Sequence, residues 1–420
     1  MESALLVFNR SIDQLIYYFF VGSLLIDTLT GIMLRKDLPS IGQPVRFIIF
    51  YLIMYRVITL SFKNFIPLFI YYISFVSIVF IHFFSNQNLE WFIIDLAIVH
   101  KFLIIVSIWI YVHLLLQKRM ITKRRLMFVF WFNLLVLSIN LILGIIGFGY
   151  SQYAGGIGSV GFFFAGNEVS GAMICIFFPI LLSAYFNMSR KKYLIVSLLV
   201  LFLALIKVTK VAIVGTVVLV FMIPMINMWR RYSFLSLKFI KYILLGISLF
   251  LGILIFGYKA IDKIGLLGRI EYAYYTLHSG NILSVILSGR DLFLVDSLKA
   301  FLNDYSLIEL LFGCGKNGSM VMMSQYSGEG KVVEIDFFDF LFQFGFVGLS
   351  LLLIIVFSML RNSYKAYKKT LSSFPLSLFF VNLLLLSISL GAGHIYNSAM
   401  AGIFIGILNG MAYMRFEQIN

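Results

Sequence analysis

Apolar runs of roughly 17–25 residues recur along the whole 420-residue chain, and each can cross the ~30 Å hydrocarbon core of a bilayer as one helix. They fall at approximately 13–33, 45–62, 65–84, 91–117, 126–149, 168–188, 193–207, 210–228, 239–258, 335–359, 374–392 and 398–414. The expected fold is therefore an all-α polytopic membrane protein of about twelve transmembrane helices, with residues 1–420 forming one integral membrane domain. Composition agrees: 61% of residues are hydrophobic and 12% charged, where a soluble domain is about half apolar and a quarter charged. Glu2 and Arg10 precede the first stretch and no small-residue cleavage site follows it, so it reads as a retained anchor.

The formal net charge of +15 resides mostly in short loops. Basic clusters occur at Lys118, Arg119, Lys123, Arg124 and Arg125, at Arg190, Lys191 and Lys192, at Arg230, Arg231, Lys238 and Lys241, at Arg361, Lys365, Lys368 and Lys369, and at Arg415. They follow every second span, so the positive-inside rule places them all, with both termini, in the cytoplasm. Arg35, Lys36 and Arg46 break the pattern, offset in part by Asp37. No basic domain exists to carry nucleic acid. The same alternation puts residues 259–334 outside the cell, a loop of roughly 75 residues, far longer than a usual connection. It carries Gly-rich turns (Gly265, Gly268, Gly313, Gly315, Gly318, Gly328, Gly330) and a helix expected near 291–303. The Gly- and Phe-rich segment Tyr150 to Gly166 is a second outer element. Cys175 falls in an apolar span and Cys314 in a hydrophilic loop, an arrangement that suggests neither a disulfide nor a metal site.

Ionisable groups within apolar spans cost a few kcal/mol and usually meet a partner or a cavity. Asp27 with Arg56, and Asp95 with Lys101, read as pairs that lock helices together; His100 reads as an interior histidine. Lys207 and Lys210 mark a tight outer turn with one-turn spacing. Either they snorkel to the outer head groups or they form a cationic site for an anionic ligand. Asp336, Asp339 and Gln343 share one helical stripe, with Glu334 just before it. Three carboxylates near a helix start gain from the helix dipole, and like-charge proximity is expected to raise the Glu334 pKa. Gly313, Cys314, Gly315 and Lys316 form a turn whose amides could face an anion. Asn167 and Glu168 open the sixth span, and His394 ends the eleventh, on that same outer side.

In order, the stretches Gly161–Glu168, Thr209–Lys210, Ser288–Arg290, Leu311–Gly315, Glu334–Gly348 and Gly393–His394 resemble the O-antigen polymerase and O-antigen ligase superfamily, especially polymerases of capsular or exopolysaccharide repeat units. The resemblance runs from about residue 160 to 400; the first 120 residues match in hydropathy alone. It implies a GT-C-type membrane glycosyltransferase of the bacterial cytoplasmic membrane, with its active site extracytoplasmic and needing neither metal nor cofactor. Donor and acceptor would both be polyprenyl-diphosphate-linked glycans. A flippase and chain-length regulator proteins would be further partners, beside membrane lipid. Lys210 and Arg290 would hold the diphosphate, as preorganised cations that stabilise a leaving group without a metal. Glu334 would accept the proton of the attacking hydroxyl. Asn167, Glu168, Lys207, Arg269, Lys316, Asp336, Asp339 and His394 complete the expected substrate-binding set. The family's ligases carry histidine where this chain has Glu334, which favours the polymerase branch over a ligase. A lipid-linked sugar flippase is the reading from another class. Charges in spans suit it, but their gathering at one face does not suit a midplane site between repeats.

Overall fold

A computed structural model of the chain describes residues 2–153, 156–231, 284, 287, 289–328 and 330–416. Over these residues the helices, numbered in order, are α1 (Glu2–Leu34), α2 (Gly42–Leu60), α3 (Phe62–Asn86), α4 (Leu89–Gln117), α5 (Lys123–Ile145), α6 (Gly166–Asn187), α7 (Arg190–Lys207), α8 (Lys210–Arg231), α9 (Arg290–Asn303), α10 (Leu307–Phe312), α11 (Gly315–Ser327), α12 (Asp336–Thr370), α13 (Ser373–Gly391) and α14 (Ala399–Gly410). A short antiparallel hairpin, β1 (Tyr150–Tyr153) with β2 (Ile157–Gly161), joins α5 to α6.

Nine helices among the described residues are long and apolar enough to cross a membrane: α1 to α6, α8, α12 and α13. Two of the twelve expected spans fall short of that measure. α7 opens on Arg190, Lys191 and Lys192, and α14 has only 12 residues. The expected ninth span at 239–258 lies outside the described residues, as do Lys238, Lys241, Gly265, Gly268 and Arg269 and the first third of the 259–334 loop.

α14 is buried along its whole length and packs on α4 and α6 at the centre of the bundle. Gly402, Gly406 and Gly410 recur at one-turn spacing against Ile105, Ile108 and Val112 of α4. This is the small-residue stripe by which membrane helices approach closely when no hydrophobic drive separates protein from lipid. Outer helices keep apolar side chains exposed, among them Leu194, Ile195, Leu198 and Phe202 on α7, as lipid-facing surfaces should.

The ion pairs differ from the sequence expectation. Asp27 pairs with Arg46 instead of Arg56. Arg56 instead holds Asp13 through two bonds of 2.8 and 2.7 Å, and Tyr111 donates to the same carboxylate at 2.7 Å. Asp95 meets His82 at 3.0 Å, not Lys101, and accepts from the Lys316 backbone N–H at 2.9 Å. Apolar periodicity sets where a helix lies, but rotation and depth decide which charge meets which. The pairing of Arg46 with Asp27 also explains how a cation can sit against the charge pattern. Arg35 is held likewise: it donates to Phe163 O at 3.2 Å, and its guanidinium lies 3.8 Å from the Tyr150 ring centre.

α9, α10 and α11 form a small cap with its own apolar cluster, including Phe301, Tyr305, Val333 and Phe342. Cys314, expected in a hydrophilic loop, is buried there and donates to Tyr305 Oη at 3.1 Å. α12 is two helices joined at Gly345, whose φ 66° and ψ −170° interrupt it. The break seats α10: a Cβ on Gly345 would stand 2.4 Å from the Leu311 backbone. Phe342 O, beside the break, accepts from Tyr305 at 3.2 Å, so the interrupted ladder is satisfied from the cap.

Candidate functional site

Three helices begin at one cavity of about 240 Å³. α6 contributes Asn167 and Ser170 from its first turns. α8 starts at Lys210 behind Thr209, whose hydroxyl accepts from Ala212 N at 3.2 Å and lies 2.7 Å from the Ser170 hydroxyl. α9 starts at Arg290. A helix N-terminus presents unpaired N–H groups and the positive end of its dipole, so three on one hollow favour an anion. The side chains agree: among the described residues, Lys210, Arg290 and Lys331 line the cavity against a single carboxylate, Glu334. Tyr153 and Phe293 add aromatic wall, with Lys331 Nζ 4.8 Å from the Phe293 ring centre. The volume is below the ~300–1,000 Å³ of drug-sized ligand sites, so it suits a head group and not a whole oligosaccharide.

Glu334 and His394 face each other from two left-handed backbone positions, φ 65° and φ 58°. Non-glycine residues rarely adopt this region, and they do so mostly where surroundings enforce it. Here the enforcement is Gly393 at φ 62°, where a Cβ would stand 2.0 Å from Glu334 O. Only glycine lets the two segments lie so close. Glu334 Oε2 accepts from an Arg290 terminal nitrogen at 3.0 Å and stands 3.5 Å from His394 Nε2. His394 foremost, against the effect of burial, and then Arg290 hold the Glu334 carboxyl down at about 2. The neighbouring acids do not raise it as expected, because the two cations stand nearer. Burial alone would lower the His394 pKa, but Glu334, Asp336 and Glu168 together raise it above its ordinary value. Arg290 Nε is buried and meets no acceptor among the described residues, so the guanidinium has donor capacity left over.

The other expected site residues are dispersed. The Asp336 carboxylate accepts from Ser389 Oγ and from the N–H groups of His394, Ile395 and Tyr396, each at 2.9 Å. It does not line the cavity; it fixes the turn that carries His394. Asp339, also buried, accepts from Glu334 N at 3.3 Å. Glu168 accepts from Ser398 at 2.8 Å. Lys207 and Lys210 belong to two helices, not one face, because Val208 turns left-handed at φ 58°. Lys207 is fully buried and donates to Gln152 of the hairpin, so it neither snorkels nor lines the cavity. Lys316 joins Asp95 through its backbone, and burial followed by nearby Lys101 lowers its ammonium pKa. Arg269 lies outside the described residues. Tyr153, Phe293 and Lys331 went unnoticed in the sequence; the one available signal was a lysine three residues before Glu334. Among the described residues no group of His, Cys, Asp and Glu is placed to hold a metal ion.

No curated protein matches the chain. The family model described as O-antigen ligase like membrane protein matches residues 271–418, the stretch that contains Arg290, Lys331, Glu334 and His394. Through that stretch, about a third of its length, the chain is similar to O-antigen ligase-like membrane proteins, a likeness that supports a membrane protein of the ligase and polymerase superfamily with a role in glycan processing.

Proposed function

We propose that the chain is a repeat-unit polymerase, a GT-C-type glycosyltransferase that transfers a growing glycan from polyprenyl diphosphate onto a new lipid-linked repeat unit. The reading places it in a bacterial cytoplasmic membrane with the Arg290 cavity facing outward. The observation that carries it is the cavity itself: Lys210 and Arg290 at two helix N-termini, a third N-terminus from α6, and Lys331 from the segment before α12, beside one carboxylate among the described residues. A diphosphate fits such a charge pattern, and preorganised cations stabilise the charge that builds as it leaves.

In this mechanism the acceptor hydroxyl oxygen attacks the anomeric carbon of the donor. The bond from that carbon to the diphosphate oxygen breaks, and its electron pair stays on the diphosphate, held by Arg290 and Lys210. The hydroxyl proton passes to Glu334. With its pKa near 2, Glu334 is a weak acceptor while Arg290 and His394 neutralise it. Donor diphosphate draws on the same guanidinium, loosens the Arg290–Glu334 contact and raises the carboxylate's proton affinity. The base is therefore quiet until the leaving group is in place.

A ligase remains the second reading, because the family match covers ligase-like proteins. Glycan analysis after deletion of the gene separates the two. Loss of a polymerase leaves single repeat units, on lipid or on the surface. Loss of a ligase leaves full-length polymer stranded on the lipid carrier. An unchanged glycan would sink both. Sidedness has its own test. Cysteine at Asp304 should react with an impermeant thiol reagent in intact cells while cysteine at Lys365 does not; the reverse pattern would put the cavity on the wrong side.

A further inference from the structure

The end of the bundle away from the Arg290 cavity contains a second hollow, larger at about 400 Å³. Arg10, Gln14 and Tyr17 of α1 line it, with Arg119 from the α4–α5 turn and Arg125 from α5. α5 separates the two ends: its 23 residues give a rise of roughly 35 Å, and the hairpin that supplies Tyr153 follows its far end. Asp13 is in the wall of the hollow, but its charge is already answered by Arg56 and Tyr111. Arg10, Arg119 and Arg125 meet no carboxylate among the described residues. Arg119 takes φ 58°, a conformation that is costly away from glycine. Arg125 lies 5.6 Å from the Tyr17 ring centre, and the Tyr17 hydroxyl donates to Arg125 O at 3.4 Å, which ties α1 to α5 at the rim.

Three guanidiniums from three separate segments, with no carboxylate partner among the described residues, line one hollow. We propose that this hollow binds a phosphate-bearing anion, one phosphoryl group shared among Arg10, Arg119 and Arg125. Guanidinium forks match phosphate oxygens in pairs. By the alternation of basic loops this end is cytoplasmic, where the leaflet supplies anionic lipid head groups; soluble phosphate is the other source of the same chemistry. Bound there, the anion would pin the start of α1 to the α4–α5 turn. The site is distinct from the glycan cavity, and neither its existence nor its test depends on the polymerase reading.

The test melts the full-length protein in neutral detergent with added phosphatidylglycerol, phosphatidylcholine or inorganic phosphate at matched ionic strength. Phosphatidylglycerol is expected to raise Tm and phosphatidylcholine is not. The double variant Arg119→Gln, Arg125→Gln should weaken the apparent affinity by about tenfold or more. A response to lipid alone assigns the site to a head group, and an equal response to inorganic phosphate assigns it to a soluble anion. If the double variant folds poorly, Arg10→Gln at an exposed position gives the same comparison. Equal responses in wild type and variants, or no response to either phosphate source, overturn the proposal.

Discussion

Glu334 and Asp336 are two residues apart and both face the His394 turn, yet their surroundings are opposite. Asp336 is 1% exposed and receives four donors, three of them backbone N–H groups. The Glu334 side chain is 33% exposed and shares one oxygen between a guanidinium and an imidazole. A carboxylate whose lone pairs are filled by its own chain has no capacity left for a ligand. One that is balanced by two side-chain cations, one of them with an Nε unpaired among the described residues, can exchange partners. Asp95 belongs with Asp336: His82 donates from one ring nitrogen to Phe312 O at 2.8 Å while the other faces Asp95, so that cluster closes on itself and ties α10 to α3 and α4.

If saturation marks an anchor, Asp336→Leu should have the largest effect of all. It strands three buried N–H groups that bonded a charged acceptor, at about 1.5–3 kcal/mol each, against a total stability of only ~5–15 kcal/mol. The expected outcome is a protein that fails to accumulate in membranes, scored by immunoblot. Normal levels would erase the distinction between the two acids. Arg290→Ala should do the reverse, with normal accumulation and turnover down by about 100- to 1,000-fold. Arg290→Lys should recover only part of it, since a point charge lacks the planar fork. Near-normal polysaccharide in Arg290→Ala cells would remove Arg290 from the site.

Glu334→Gln sharpens the same contrast one step further. As a base, its loss should lower turnover by about 100-fold with donor binding kept. If the carboxylate only positions the acceptor, acceptor KM rises and turnover stays within a few-fold. A smaller effect is expected from pH. Glu334, lowered from 4.5 to about 2, contributes stability above 4.5 and loses it as pH falls toward 2. His394, raised above 6.5, contributes fully below 6.5 and loses it as pH rises through the higher folded value. The Tm gap between wild type and His394→Gln should therefore be widest between about 4.5 and 6.5; a gap that grows steadily into alkaline pH contradicts the pairing. Smallest of all, EDTA should leave the turnover of purified enzyme unchanged, because in the proposed mechanism cations of the chain meet the leaving group.

Much of the membrane architecture was legible because span length and apolar run are the same quantity read twice. The stripe from Asp336 to Gln343 was legible for the same reason: helical spacing fixes a shared face. Partners were not. Asp27 and Arg56 lie on adjacent helices, but roughly 15 Å of depth separates them, which gives Asp27 to Arg46 and Arg56 to Asp13. Lys207 and Lys210 have one-turn spacing, but Val208 ends one helix between them and sends the first lysine into the interior. Nor could spacing separate Glu334 from Asp336, since what divides them is a turn nearly sixty residues later. Asn133 also escaped notice: a buried amide in an apolar span, it donates to Phe20 O and Val21 O at 3.0 and 3.1 Å and staples α5 to α1.

The break at Gly345 has a consequence for how the chain tolerates change. The acid-bearing turns before it are phased by α10 and the cap, and the long anchor beyond it is phased by its neighbours in the bundle. A residue inserted after Gly345 would rotate the anchor by about 100° and leave Asp336 and Glu334 where they are. The same insertion before it would swing both carboxylates off the His394 turn. Anchor length can thus follow bilayer thickness, which differs by several ångströms between membranes, while Glu334 and Asp336 stay in place under the cap.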